Sequence, residues 1–292
     1  MISAKIIRSF VTLLISLTMI QTCSSNKPKN QYLKSPDGNI TVRFEISPAG
    51  KIFYRVAYRN KEIVQASRMG IVREDADFSE SLKLDSVSAS RPINFNYQMP
   101  QGKKSHYAYN GNEKRFYLTN HVNQKIDVVF RASNDGVAFR YIFPGQSDEP
   151  KTILREISEF HFSPRTKAFI QPMAVAKSGW CQTNPSYEEI YQQNVAIDKL
   201  PFNEPGWVFP ALFEDGDSWM LISETAPDRN YCGCRLQQDS TSHIFYIDFP
   251  SDLETFPGGI WLPTSPLPWS TPWRIITIGK GLKNIVESTL GT

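Results

Sequence analysis

Residues 125–143 read KIDVVFRASNDGVAFRYIF, and this stretch decides the fold class. Two strand-forming runs flank Asn134-Asp135-Gly136, residue types that tolerate the positive φ angles of a hairpin turn. Working outward, the same pattern recurs. In ITVRFEI the apolar Ile40, Val42, Phe44 and Ile46 alternate with Thr41, Arg43 and Glu45, the period of a strand with one buried face. SPDGN at 35–39 is a turn. After SPAGK the run IFYRVAY repeats the alternation, so a hairpin is expected, and KEIV follows the tight RNKE turn as a third strand. Further strands are expected over 207–213, 218–223, 242–249 and 273–278. Helical periodicity is confined to 186–193 and to GLKNIVEST near the end. The chain is mainly β, with more strands than a small sandwich needs.

Composition sets the outer limits. Of 292 residues 40% are apolar and 12% aromatic, enough to fill the core of one large β domain or two ordinary ones. Lys and Arg number 32 against 29 Asp and Glu, a net charge of +3. The basic residues form no stripe, so nucleic acid is not an expected partner.

The N-terminus reads as an export signal. Lys5 and Arg8 precede an apolar run from Phe10 to Ile20, the length of a secretory core and too short to span a bilayer. Cys23 follows in MIQTCSS, a loose lipobox with Thr22 where Gly or Ala is usual, and a lipid anchor there is the expectation. An unlipidated signal peptide cut nearby is the alternative. Residues 24–35 are polar and read as a tether. The chain is then exported, to the periplasm or as an outer-membrane lipoprotein, and meets the membrane only through its anchor. Cys181, Cys232 and Cys234 are an odd set. The CGC spacing is too close for a comfortable disulfide, and no zinc-ligand spacing completes it. Free thiols, a disulfide from Cys181 to one of the pair, and a metal all stay open.

No GxSxG, HExxH, Walker A or GxGxxG occurs, and His106, His121, His161 and His243 have no catalytic or ligand spacing; each reads as a surface or cross-strand residue. Aromatic residues gather in the second half, where sugar faces stack on exposed rings. Trp219 and Trp273 sit in strand patterns and read as core, whereas Trp180 and Trp261, near glycines, are candidates for carbohydrate contact together with Tyr187. In TNPSYEEIYQQN, 183–194, Tyr187 and Tyr191 would share one face of a short helical turn capped by Ser186. Glu188 and Glu189 fit its first turn; alternatively one of them is a ligand to a hard cation such as calcium.

Several segments converge on a known family. NDGVAFRY (134–141), SYEEIY (186–191), WVFPALFE (207–214), STPWRIITIG (270–279) and IVEST (285–289) resemble, in that order, the N-terminal domain of glycoside hydrolase family 97, a family of exported bacterial α-glucosidases and α-galactosidases. The resemblance runs from about Ser35 to the end. It implies a large antiparallel β-sandwich (a β-supersandwich, galactose-mutarotase-like) over 36–280, after a signal peptide at 1–23 and the tether. Residues 281–292 would begin a linker to a (β/α)₈ barrel that this chain lacks. It also implies that Glu188 helps to hold calcium at the barrel's active site. Catalytic residues are then expected in the barrel and none here, because glycoside hydrolysis needs a pair of carboxyl groups across the scissile bond. The implied partners are α-linked oligosaccharides and a barrel in cis or in trans, which would dock on an exposed apolar patch. A stand-alone lipid-anchored carbohydrate-binding protein is the alternative, and a fragment without selected function a third.

Overall fold

The computed structural model describes residues 31–176, 189–239, 241–242 and 244–291. Strands dominate it, and every strand pair is antiparallel. Tyr32–Lys34, Ile40–Ile46, Ile52–Tyr58 and Lys61–Met69 form a four-stranded sheet in chain order. The alternation explains its single buried face: Ile40, Val42 and Phe44 are buried and Arg43 is exposed. Tyr32–Lys34 lies within the stretch read as a tether, and the third strand runs well past KEIV.

A thirteen-stranded sheet lies against it. Its main path runs Gln192–Ala196, Lys167–Ile170, Ala211–Asp215, Ser218–Thr225, Trp273–Gly279, Gly136–Glu156, Lys125–Ser133, His106–Thr119, Lys83–Val87. The hairpin of 125–143 sits near its middle, with Ser133 paired to Gly136. Only Gly136 of the turn tripeptide has positive φ, at 158°. Asn134 and Asp135 serve by hydrogen bonding instead: Asn134 Oδ1 accepts from the Asp37 amide (3.0 Å), and Asp135 accepts from Ser133 and Ser288. A third sheet orders Glu159–His161, Ile244–Asp248 and Arg235–Gln238.

The sheets share one core. Phe44 stacks on Phe116 at 4.1 Å, and Tyr54 packs on Phe139 at 5.1 Å while its hydroxyl donates to Glu159 O (2.8 Å) in the third sheet. Phe245 of that sheet meets Phe213 of the large one at 5.1 Å. Such offset and tilted ring pairs add to the gain from apolar burial.

Four sequence expectations change. The strand expected from 207 begins at Ala211, because Pro210 has no N–H to offer a ladder; Trp207 makes isolated bridges to Pro172 and Leu236 instead. The helical turn expected over 186–193 is absent from its described part: Gln192 and Gln193 open an edge strand paired with Ile170 and Phe169, so sheet pairing overrides local helix signals. Trp219 is half-buried, against Phe169, whereas Trp273 is buried as expected. Finally, the helix expected in GLKNIVEST is present but confined to Leu282–Glu287, and it packs on the large sheet. Among the described residues no helix is long and apolar enough to cross a membrane.

Candidate functional site

Glu188, Tyr187, Trp180, Cys181 and Cys23 lie outside the described residues. The chain on either side of 177–188 is described, and it leads to one rim of the domain. Trp207 is the hub of that rim. It is fully buried, its N–H donates to Leu236 O (2.7 Å) and its carbonyl accepts from the Leu236 N–H (3.0 Å). Met173 N–H donates to Gly206 O (2.7 Å), and Asn203 Nδ2 donates to Met173 O (3.1 Å). These bonds draw the loops at 171–176 and 200–207 onto the strand Arg235–Gln238.

Beside them a cavity of about 140 Å³ is lined by Val175, Glu204, Arg235, Asp248, Phe249 and Leu253. Arg235 fixes its floor: Nη1 donates to Pro205 O (2.9 Å) and Nη2 pairs with Glu254. Glu254 in turn accepts from the Ser251 amide (2.6 Å), closing the short helical turn Asp252–Glu254 with a capping box. Burial pushes the Asp248 carboxyl up, and its neighbours Glu204 and Glu254 push the same way.

Seven of the thirteen exposed large apolar side chains among the described residues lie in the segments 171–176, 189–191, 200–207 and 250–263: Val175, Ile190, Tyr191, Phe202, Leu253, Phe256 and Ile260; of these Val175 and Leu253 line the cavity. Phe256 and Ile260 are 75% and 82% exposed. Exposed apolar side chains of this size are candidates for an interaction surface. Trp261 follows Ile260 and is half-buried. Among the described residues no group of three or more His, Cys, Asp or Glu is disposed to hold a metal.

The most perturbed ionisable groups lie elsewhere, in the core. Arg274 is fully buried; its Nε and Nη2 donate to the two carboxylate oxygens of Glu156 (2.8 and 2.6 Å), and Nη1 pairs with Glu224. Tyr231 donates to Glu156 (2.7 Å), and Arg274 Nη2 approaches Cys234 Sγ at 3.3 Å. Burial pushes the Cys234 thiol up, and neither Cys232 nor Cys234 is in a disulfide. Glu156 and Arg274 are both 0% exposed, and their network ties the strands that carry them together. It escaped the sequence reading, although an arginine in the middle of WRIITIG was the available signal.

The sequence model of the glycosyl-hydrolase 97 N-terminal family matches residues 33–292. A probable retaining alpha-galactosidase of Streptomyces bingchenggensis is 28% identical over 240 residues, 82% of this chain and 34% of that protein. A retaining alpha-galactosidase of Bacteroides thetaiotaomicron is 23% identical over 293 residues, 94% of this chain and 42% of that protein. The chain thus spans well under half the length of these relatives. Among solved structures, a beta-arabinopyranosidase is 36% identical with a TM-score of 0.84, over 89% of this chain and 41% of that one.

Proposed function

The chain belongs to the glycosyl-hydrolase 97 N-terminal family, and from that premise we propose that it serves as the β-sandwich module of an α-glycosidase, supporting a barrel active site. The observation that carries this reading is the family match over residues 33–292, and the exposed Val175, Ile190 and Tyr191 in the segments that flank 177–188 are apolar surface suited to a docked domain. The barrel is supplied in cis or in trans, and the substrate is an α-linked oligosaccharide, as the alpha-galactosidase relatives suggest. Hydrolysis falls to the barrel's carboxyl groups.

Within this reading Glu188 reaches out of the domain as one oxygen ligand of a calcium ion. Calcium takes six to eight oxygens, so the remaining ligands come from the barrel, and the ion supplies charge stabilisation at the sugar-binding centre. Trp180, Tyr187 and Trp261 are the candidate sugar contacts of this module. The chain is exported and held at the membrane by an acyl group on Cys23.

The test is Glu188→Gln, read in two assays. Melting of the 292-residue chain is expected to be unchanged, while the calcium dependence of activity in a complex with a family barrel weakens. A large drop in melting temperature of the chain alone, or a barrel complex indifferent to the change, would overturn the assignment.

A further inference from the structure

The outward face of the large sheet departs from the usual rule that a solvated sheet face is polar. In the hairpin of Arg91–Gln98 and His106–Thr119, Phe95 lies opposite Tyr109 and Tyr97 opposite Tyr107. Both pairs are stacked, with ring centroids 4.9 and 5.1 Å apart and planes within 16° and 12°. Gly111 makes room for this: a Cβ there would sit 2.9 Å from Tyr109 Oη. The aromatic surface continues across the sheet to Trp273, which has the guanidinium carbons of Arg131 and Arg140 each 4.4 Å from its ring centre. Trp273 belongs to a small apolar cluster with Val129, Ala138 and Ile275, separate from the main core.

Between the hairpin and residues 289–291 lies a cleft of about 270 Å³, lined by Phe95, Tyr97, Tyr109, Arg131, Trp273 and Leu290. Phe95 stacks on Tyr109 and has the Arg131 guanidinium carbon 5.9 Å from its ring centre, yet it is 43% exposed and borders the cleft. Arg131 supplies the polar element. Its Nε donates to Glu113 Oε2 (2.9 Å), and among the described residues nothing hydrogen-bonds its two terminal nitrogens. Glu113 also pairs with Arg91, which fixes the Arg131 side chain from behind.

Three features together select the occupant. The cleft is concave and at the small end of the few hundred Å³ typical of ligand pockets, unlike the broad surface a protein partner covers. The aromatic lining of Phe95, Tyr97, Tyr109 and Trp273 suits the apolar face of a ligand. An unspent planar fork suits a rim of paired oxygens, which a purely apolar ligand would leave unsatisfied. A pyranose offers both, with C–H groups on its face and vicinal hydroxyls at its edge. We propose that this cleft is a carbohydrate-binding site that holds one neutral pyranose ring against Phe95, with the Arg131 guanidinium donating to its hydroxyl oxygens.

The inference rests on the reading above only for the choice of probes, maltotetraose and raffinose. Calorimetric titration of the 292-residue chain alone is the experiment, so failure of barrel complementation leaves it untouched. Saturable binding of one of the sugars is expected, weakened about tenfold by Phe95→Ala, the loss of one ring contact, and retained in Phe95→Tyr. Arg131→Met should weaken it by a similar factor, whereas Val122→Ala, on an exposed turn elsewhere, should not. The site is overturned if neither sugar binds at about 10 mM, well above a millimolar Kd. Binding indifferent to both Phe95→Ala and Arg131→Met overturns it equally.

Discussion

Arg274 and Glu156 face each other in the core, joined by two hydrogen bonds of 2.8 and 2.6 Å, with neither side chain exposed. They lie 118 positions apart and tie the strand Trp273–Gly279 to the far end of Gly136–Glu156. Removing one partner leaves a buried charge uncompensated, so Arg274→Met should cost about 3–5 kcal/mol. The pair replacement Arg274→Met with Glu156→Leu should cost much less. A double-mutant cycle by urea unfolding checks both, and a double loss equal to the sum of the two single losses would show that the pair does not act as a unit.

The same pair sets an acid limit. Burial alone would raise the Glu156 carboxyl, but Arg274, Tyr231 and Ser158 outweigh it and hold the group below the ordinary value of 4.5. A depressed folded value means stability that is complete at neutral pH and is lost as pH falls from about 4.5 through the folded value. Melting of the native chain should therefore drop more steeply below pH 4.5 than that of Glu156→Gln, with the two curves converging in acid.

Gly206 turns the rim loop at φ 88°, and a Cβ there would lie 2.5 Å from Leu236 O. Gly206→Ala combines strain with a backbone clash and should cost at least about 1–3 kcal/mol. The urea midpoint should fall with the slope unchanged; an unaltered midpoint would mean that the rim loop is not held as described.

Phe256 and Ile260 are open to solvent, so Phe256→Asp and Ile260→Asp should alter the stability of the chain alone by no more than about 0.5 kcal/mol. If the rim docks a barrel, each should weaken that association about tenfold or more, measured by titrating barrel into chain. Association unchanged by both would move the docking surface elsewhere.

Much of the fold was legible because many of its strands bury one face. Ile40, Val42 and Phe44 alternate with polar residues and point to the core as the pattern demands. The hairpin carrying Phe95 and Tyr97 was missed, although Ile93, Phe95 and Tyr97 alternate too; Asn94 and Asn96 are poor strand formers and masked the signal. Arg274 hid for the opposite reason. Its strand is buried on both faces, alternation vanishes there, and its partner is distant in sequence. The residues alone left Glu188 and Glu189 equal as possible calcium ligands, and only the resemblance singled out Glu188.

The central claim is that this chain assists glycoside hydrolysis rather than performing it. The direct measurement is release of p-nitrophenol from p-nitrophenyl α-galactoside and α-glucoside by the purified 292-residue chain, alone and mixed with a family barrel in the presence of calcium. No turnover by the chain alone, together with activity in the mixture above that of the barrel by itself, is the expected result. Turnover by the chain alone, abolished by no barrel-directed treatment, would contradict the account.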